Sequence, residues 1–319
     1  MKGRILTSLL AVIAITGLQA QETPAVPRLV VGLTIDQLNM DYVEAFADMF
    51  GERGFKRLWR EGRVYRNAEY NFNQVDRSSA VAAIYTGTTP HVNGIVGNAW
   101  MDRTSLQVVN CVDDTRFMGI YTSESTSPSR LAVSNLSDEL IVATQGTAEV
   151  YSIAPTREMA VLAAGHASQG AFWINDETGK WSGSTYYGTF PSWVSNYNDR
   201  QGLDFRISDM TWSPYLPVSI YRYLTSETKQ VTFKHKFNDE RKNKYRKLKT
   251  SPYANEEVNR LVNACLSSTS VGRDLVPDML NLAYYAGNYD HRPISELPME
   301  MQDTYVRLDA TLAELLEII

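Results

Sequence analysis

Residues 28–36, Arg-Leu-Val-Val-Gly-Leu-Thr-Ile-Asp, form a nearly unbroken apolar run that ends on an acid. Such a run, apolar on consecutive rather than alternate positions, is the pattern of a central parallel strand covered on both faces. Helical spacing follows over 42–50 and 55–59, and a small apolar segment over 79–85 is closed by Gly87-Thr88-Thr89-Pro90. Residues 135–144 read as a further helix, with Ser134, Asn135 or Ser137 available to cap it, and 149–153 as a strand. The pattern over 172–187 predicts a hairpin turning at Asn175-Asp176-Glu177-Thr178-Gly179, between Trp173 and Trp181. Residues 190–250 mix Tyr, Trp, Pro and charge without a clean period and read as an insertion. Beyond them come a helix over 255–266, a strand over 279–285 and a helix over 298–319. That last helix carries Tyr305, Leu308, Leu312, Leu315 and Leu316 on one face.

Strands alternating with helices predict an α/β fold, with a mostly parallel central sheet flanked by helices and a cap insertion over about 170–250. The last helix stops at Glu317-Ile318-Ile319 without a capping residue. In a parallel sheet such a helix leads to another strand. The domain over 21–319 is therefore expected to be incomplete at its C-terminus.

Composition changes this picture at one end. Lys2 and Arg4, the apolar stretch over 5–18 and the small Ala20 before Gln21-Glu22-Thr23-Pro24 predict a signal peptide over 1–20. The protein is then exported, periplasmic or secreted. The apolar stretch is shorter than the ~20 residues of a membrane span, and no transmembrane segment is expected in the mature chain. Hydrophobic residues at 44% and charged residues at 21% are those of an ordinary globular domain. Removing Lys2 and Arg4 takes the basic count from 31 to 29 against 36 acids, a mature net charge of −7. That balance argues against nucleic acid as a partner. Cys111 and Cys265 lie in no metal-binding spacing; they could pair in an oxidising compartment or stay as buried thiols. The basic run over 229–249 could meet an anionic partner, but it also carries Asp239 and Glu240 and reads better as a solvated insertion. Trp and Tyr over 173–223 could line a ligand cleft, though such residues more often fill a cap's own core.

Candidate chemistry gathers around Asp36. A carboxylate closing a buried strand stands where open α/β sheets place ligands and metals. A helix start near Ser78 offers a partly positive terminus that favours phosphate and an alkoxide nucleophile. The amide of Asn98 could donate to a phosphoryl oxygen.

With these stand Ile35-Asp36-Gln37, Ile84-Tyr85-Thr86-Gly87-Thr88-Thr89-Pro90, Gly94-Ile95-Val96-Gly97-Asn98 and Ala164-Gly165-His166. Further on come Ser184-Thr185-Tyr186-Tyr187, Thr250-Ser251-Pro252-Tyr253 and Asp303-Thr304-Tyr305-Val306-Arg307-Leu308-Asp309. In this order, over nearly the whole mature chain, they resemble the alkaline phosphatase superfamily in its periplasmic phosphatase and type I phosphodiesterase/nucleotide pyrophosphatase branch. The resemblance implies hydrolysis of phosphate esters by two zinc ions held by six Asp and His ligands, with a metal-bound Thr or Ser attacking phosphorus. It implies Asp36 as a metal ligand and Asn98 as the phosphate-binding amide.

The remaining motifs depart from the family. Its nucleophile pattern Thr-x-x-Gly-His-x-x-x-x-Thr-Gly, counted back from Thr86-Gly87, puts Arg77 in the nucleophile position and Ala80 and Val81 for Gly-His. Arginine cannot attack phosphorus, which leaves Ser78 and Ser79 as candidate nucleophiles from a shifted loop. The Asp-Tyr-x-x-His metal motif aligns with Asn288 to Arg292, so that the acid becomes Asn288 and the imidazole Arg292; Asp290 and His291 could substitute from a displaced loop, though the pair reads better as a solvated surface turn. The Lys-x-Arg phosphate clamp aligns with Thr156-Arg157-Glu158, where Arg157 could partly compensate and Glu158 would repel phosphate. His166 falls on a turn that is structural in the family. These departures imply a catalytically degenerate member that does not hold the family's zinc. One alternative is an active zinc-dependent phosphomonoesterase or phosphodiesterase using Ser78 or Ser79. Another is a pseudoenzyme that binds a ligand or partner without turnover.

Overall fold

The computed structural model describes residues 26–222, 232–239 and 243–319. The expected signal peptide and part of the basic run over 229–249 lie outside them. Strand β1 (Leu29–Asp36) leads to helices α1 (Met40–Ala45), α2 (Phe55–Glu61), α3 (Arg77–Thr86) and the single turn α4 (Pro90–Asn93). A small hairpin of β2 (Ala99–Met101) and β3 (Val108–Asn110), then β4 (Gly119–Ile120), precede α5 (Leu136–Ala143). The unit β5 (Val150–Ala154), α6 (Arg157–Ala164) and β6 (Gly170–Ile174) follows, and β7 (Trp181–Ser184) turns back. Next come α7 (Ser192–Arg200), α8 (Leu203–Arg206), the pair β8 (Thr211–Trp212) and β9 (His235–Lys236), and α9 (Lys244–Lys249). The chain ends on α10 (Tyr253–Ser268), β10 (Asp278–Tyr285) and α11 (Pro298–Ile318).

Six strands form one sheet in the order β1-β10-β5-β6-β7-β4. The first four run parallel, and β7 pairs antiparallel with both β6 and β4. The apolar runs seen in the sequence are buried on both faces: Leu280, Leu282 and Tyr284 of β10 enter one core, Met279 and Ala283 the other. The first core packs α1, α2, α7, α10 and α11 on the sheet; the second packs α3 and α6. Residues 170–184, expected as the start of a cap, are strands of the sheet itself, because Trp173 and Trp181 are both fully buried across the β6–β7 pair. The segment outside the sheet begins with α7. Its aromatic residues fill the core: Trp212 and Phe237 are fully buried, and Tyr197 and Tyr221 nearly so.

Caps set the helix starts that matter for the site. Asp76 accepts from the Ser79 N–H (2.9 Å) while the Ser79 hydroxyl accepts from the Asp76 N–H (2.9 Å), a capping box that starts α3. Asn135 and Asp138 do the same for α5, so Asn135 is the cap among the three candidates. Gly87 closes α3 in the left-handed conformation (φ 65°) that only glycine adopts without strain.

Candidate functional site at the carboxyl ends of the strands

The carboxyl ends of β1, β5, β6 and β10 open onto a cleft with two lobes of about 210 and 710 Å³. Asp36, Arg77, Met159 and His291 line both lobes. Position follows from topology: the parallel strands point their C-termini here, and α3 and α6 begin here.

Asp36 is where the sequence predicts it, closing β1. Its partner was not predicted. Arg77, the first residue of α3, directs Nε and a terminal guanidinium nitrogen to the same oxygen, Asp36 Oδ2, each at 2.7 Å. The side chain in the expected nucleophile position therefore neutralises the expected metal ligand. The cation also stands against any second cation beside Asp36, since like charges at this spacing repel.

Ser78 and Ser79 do not face the cleft. Both are 0% exposed. Ser79 is held by the capping box, and the Ser78 hydroxyl donates to Asn98 Oδ1 (2.5 Å) and accepts from the Cys111 thiol (3.3 Å). Burial raises the Cys111 thiol to about 12, so that donor stays protonated. Asn98 lines the larger lobe, and its Oδ1 also accepts from the Ser78 N–H (3.1 Å). Its backbone N–H donates to Asp76 Oδ2 (2.6 Å), so Asp76 fixes both the helix start and the Asn98 loop.

Arg157, the first residue of α6, is buried and turned towards acids. It meets Asp113 at 2.9 Å and Glu124 at 3.7 Å and donates to the Thr126 hydroxyl at 3.2 Å. Glu158 accepts from Asn110 (2.7 Å). Asp290 and His291 separate: Asp290 pairs with Lys247 (3.2 Å) and lines neither lobe, while His291 lines both. Both sit at positive φ, 51° and 56°, in the tight turn after β10. Arg292, in the expected imidazole position, pairs with Glu296 on the surface (2.7 Å). His166 bridges the Asp138 carboxylate (2.9 Å) and the Leu131 carbonyl (3.0 Å), the structural role expected of it.

Three residues of the smaller lobe escaped the sequence reading. Arg246 and Lys249 of α9 and Asp176 of the β6–β7 turn meet there as an ion-paired group. The basic run is thus partly drawn into the cleft. The smaller lobe carries Arg77, Arg157, Arg246 and Lys249 against Asp36, Glu124, Glu158 and Asp176, four charges of each sign. Among the described residues, no group of three or more His, Cys, Asp or Glu could hold a metal ion. With Asp36 bound to a guanidinium, the residues present do not fit a two-zinc centre.

Comparison with known proteins agrees with the fold. The chain is 31% identical over 327 residues to alkaline phosphatase PafA of Elizabethkingia meningoseptica, covering 96% of this chain and 59% of that protein. It is 31% identical over 307 residues to alkaline phosphatase PhoV of Synechococcus elongatus, covering 92% and 56%. A crystal structure of wild-type PafA superposes with a TM-score of 0.82 at 28% identity, covering 93% of this chain and 60% of that one. The chain thus spans under two thirds of the length of these relatives. The family model of the type I phosphodiesterases/nucleotide pyrophosphatases matches residues 30–319. By that match and these likenesses, the chain belongs to the type I phosphodiesterase/nucleotide pyrophosphatase family, within the alkaline phosphatase superfamily.

Proposed function

We propose that this chain is an exported, catalytically degenerate member of its family that retains the strand-end cleft without hydrolysing phosphate esters. The observation that carries this reading is the Arg77–Asp36 ion pair, two 2.7 Å contacts on one carboxylate oxygen. It supports the reading because the motif spacing expects a hydroxyl at Arg77, and the guanidinium there engages Asp36, the one well-matched candidate ligand. Burial of Ser78 and Ser79 supports the same reading, because neither hydroxyl has a path to a substrate in the cleft. The charge-balanced lobe beside Asp36 fits retention of a small ligand rather than of a dianion held by metal. Export rests on the N-terminal pattern; among the described residues no helix is long and apolar enough to cross a membrane.

The test is zinc content of the purified chain by elemental analysis, beside turnover of p-nitrophenyl phosphate and bis-p-nitrophenyl phosphate. The expected result is no bound zinc and turnover no greater than that of Asp36→Ala. About two zinc ions per chain, with turnover abolished by Ser78→Ala or Ser79→Ala, would overturn the proposal in favour of an active enzyme with a relocated nucleophile.

A further inference from the structure

A second concavity, of about 270 Å³, lies between α7 and α10 and shares no lining residue with the strand-end cleft. Each helix gives it one ridge at helical spacing. Trp193, Asn196, Tyr197 and Arg200 stand at i, i+3, i+4 and i+7 of α7, and Arg260, Asn263, Ala264 and Ser267 repeat the same spacing on α10. Both ridges carry an arginine. Arg200 and Arg260 are exposed, and neither makes an ion pair or hydrogen bond among the described residues. No carboxylate lines the groove. Glu256, one turn before Arg260, is engaged by Arg307 (3.6 Å), and Asp199, next to Arg200, is outside the lining.

This differs in kind from the strand-end cleft, where every lining cation has an acid to meet. In a chain with 36 acids and 31 bases, a groove lined by two guanidiniums and no carboxylate carries local positive charge, offset at Arg260 only by Glu256 from outside the lining. Guanidinium groups bind oxyanions through paired N–H donors. Amides and hydroxyls of Asn196, Asn263 and Ser267 add neutral donors and acceptors beside them. The walls are fixed from beneath: the Tyr197 hydroxyl donates to Glu257 of α10 (2.9 Å), and Asn198 of α7 accepts from the Trp181 N–H of β7 (2.9 Å). Such anchoring lowers the ordering cost of binding. The volume is just below the ~300–1,000 Å³ of common ligand pockets, which suits a molecule of few heavy atoms.

We propose that the α7–α10 groove binds a small oxyanion, held between Arg200 and Arg260. The probes are inorganic sulfate and inorganic phosphate, titrated into the purified chain at constant ionic strength against chloride and followed by calorimetry. Saturable binding of at least one of them is expected. R200A/R260A should weaken it at least tenfold with an unchanged circular dichroism spectrum, and R200K/R260K should fall between, because lysine keeps the charge and loses the paired donors. R246A/K249A, on the strand-end cleft, should leave it unchanged. Absence of saturable binding would overturn the proposal, as would equal binding by R200A/R260A. Loss in R246A/K249A instead would move the anion to the strand-end cleft and equally refute it.

Discussion

Asp36 and Asp303 are both carboxylates in the interior of one fold, and they are held in opposite ways. Asp303 of α11 is fully buried and accepts from the Trp212 indole (2.6 Å), the Tyr215 N–H (2.6 Å), the Tyr221 hydroxyl (2.5 Å) and Arg307 (2.8 Å). Four donors, three from the segment after α8 and one from its own helix, make it the knot that ties this segment to α11. Asp36 has one cationic partner, Arg77, whose two contacts share a single oxygen, and the pair stands at the mouth of a cleft with side chains 11% and 22% exposed. The difference teaches which charges build the fold. A carboxylate saturated by donors from several elements is architecture. One matched by a single opposing charge at the sheet's carboxyl end belongs to the cleft rather than to the frame.

The sharpest way to break this contrast is Asp303→Ala. It strips four donors of their acceptor and should cost about 3–5 kcal/mol, read as a shift in the urea midpoint; a loss under ~1 kcal/mol would collapse the distinction. Glu257→Gln comes next. Glu257 is buried beneath α7 and accepts from the Trp181 indole (3.2 Å) and the Tyr197 hydroxyl (2.9 Å), with Arg206 closing the group. The amide keeps the shape and loses the charge facing Arg206, for about 1–3 kcal/mol. Arg77→Ala should be smaller, about 1 kcal/mol, because water in the cleft can solvate Asp36 once its partner is gone. If it costs as much as Asp303→Ala, the cleft pair is a structural knot after all.

The smallest effect sharpens the contrast through pH. His166 is raised by its bond to Asp138, outweighing the opposing effect of burial. Burial pushes Asp138 up, but the bond from His166 and the Asn135 and Ala167 N–H groups bring it below its ordinary value. The pair therefore contributes fully only between those limits. Its contribution is lost as pH rises through the raised imidazole value, above the ordinary ~6.5, and as pH falls through the lowered carboxyl value. The Tm difference between the wild type and His166→Gln should shrink on both sides. A difference independent of pH would show that the bond acts without charge.

The sheet, its flanking helices and the β6–β7 turn were legible because each rests on a local period or turn residue. The apolar run over 28–36 and the alternation across Trp173 and Trp181 needed nothing distant to decide them. That Arg77 stands in the expected nucleophile position was legible too, since the motif spacing counts back to it within eleven residues. Its partner was not: Asp36 lies 41 residues upstream, and only the parallel sheet brings the start of α3 to the end of β1. Asp76 did leave a local signal, Asp-Arg-Ser-Ser before an apolar run, which marks the start of a helix with Ser79 three residues after its cap. The basic run misled because its charges diverge in space. Lys249 and Arg246 turn to Asp176, and Lys247 turns to Asp290.

The two cysteines give the fold a pair of built-in clocks. Cys111 and Cys265 are free and fully buried, in the cores on opposite faces of the sheet, and burial raises each thiol to about 12. Neither can react with a thiol reagent until its own layer opens. Labelling rates at the two positions therefore time the opening of the α3–α6 layer and the α10–α11 layer separately. Single Cys→Ser variants tell the two rates apart.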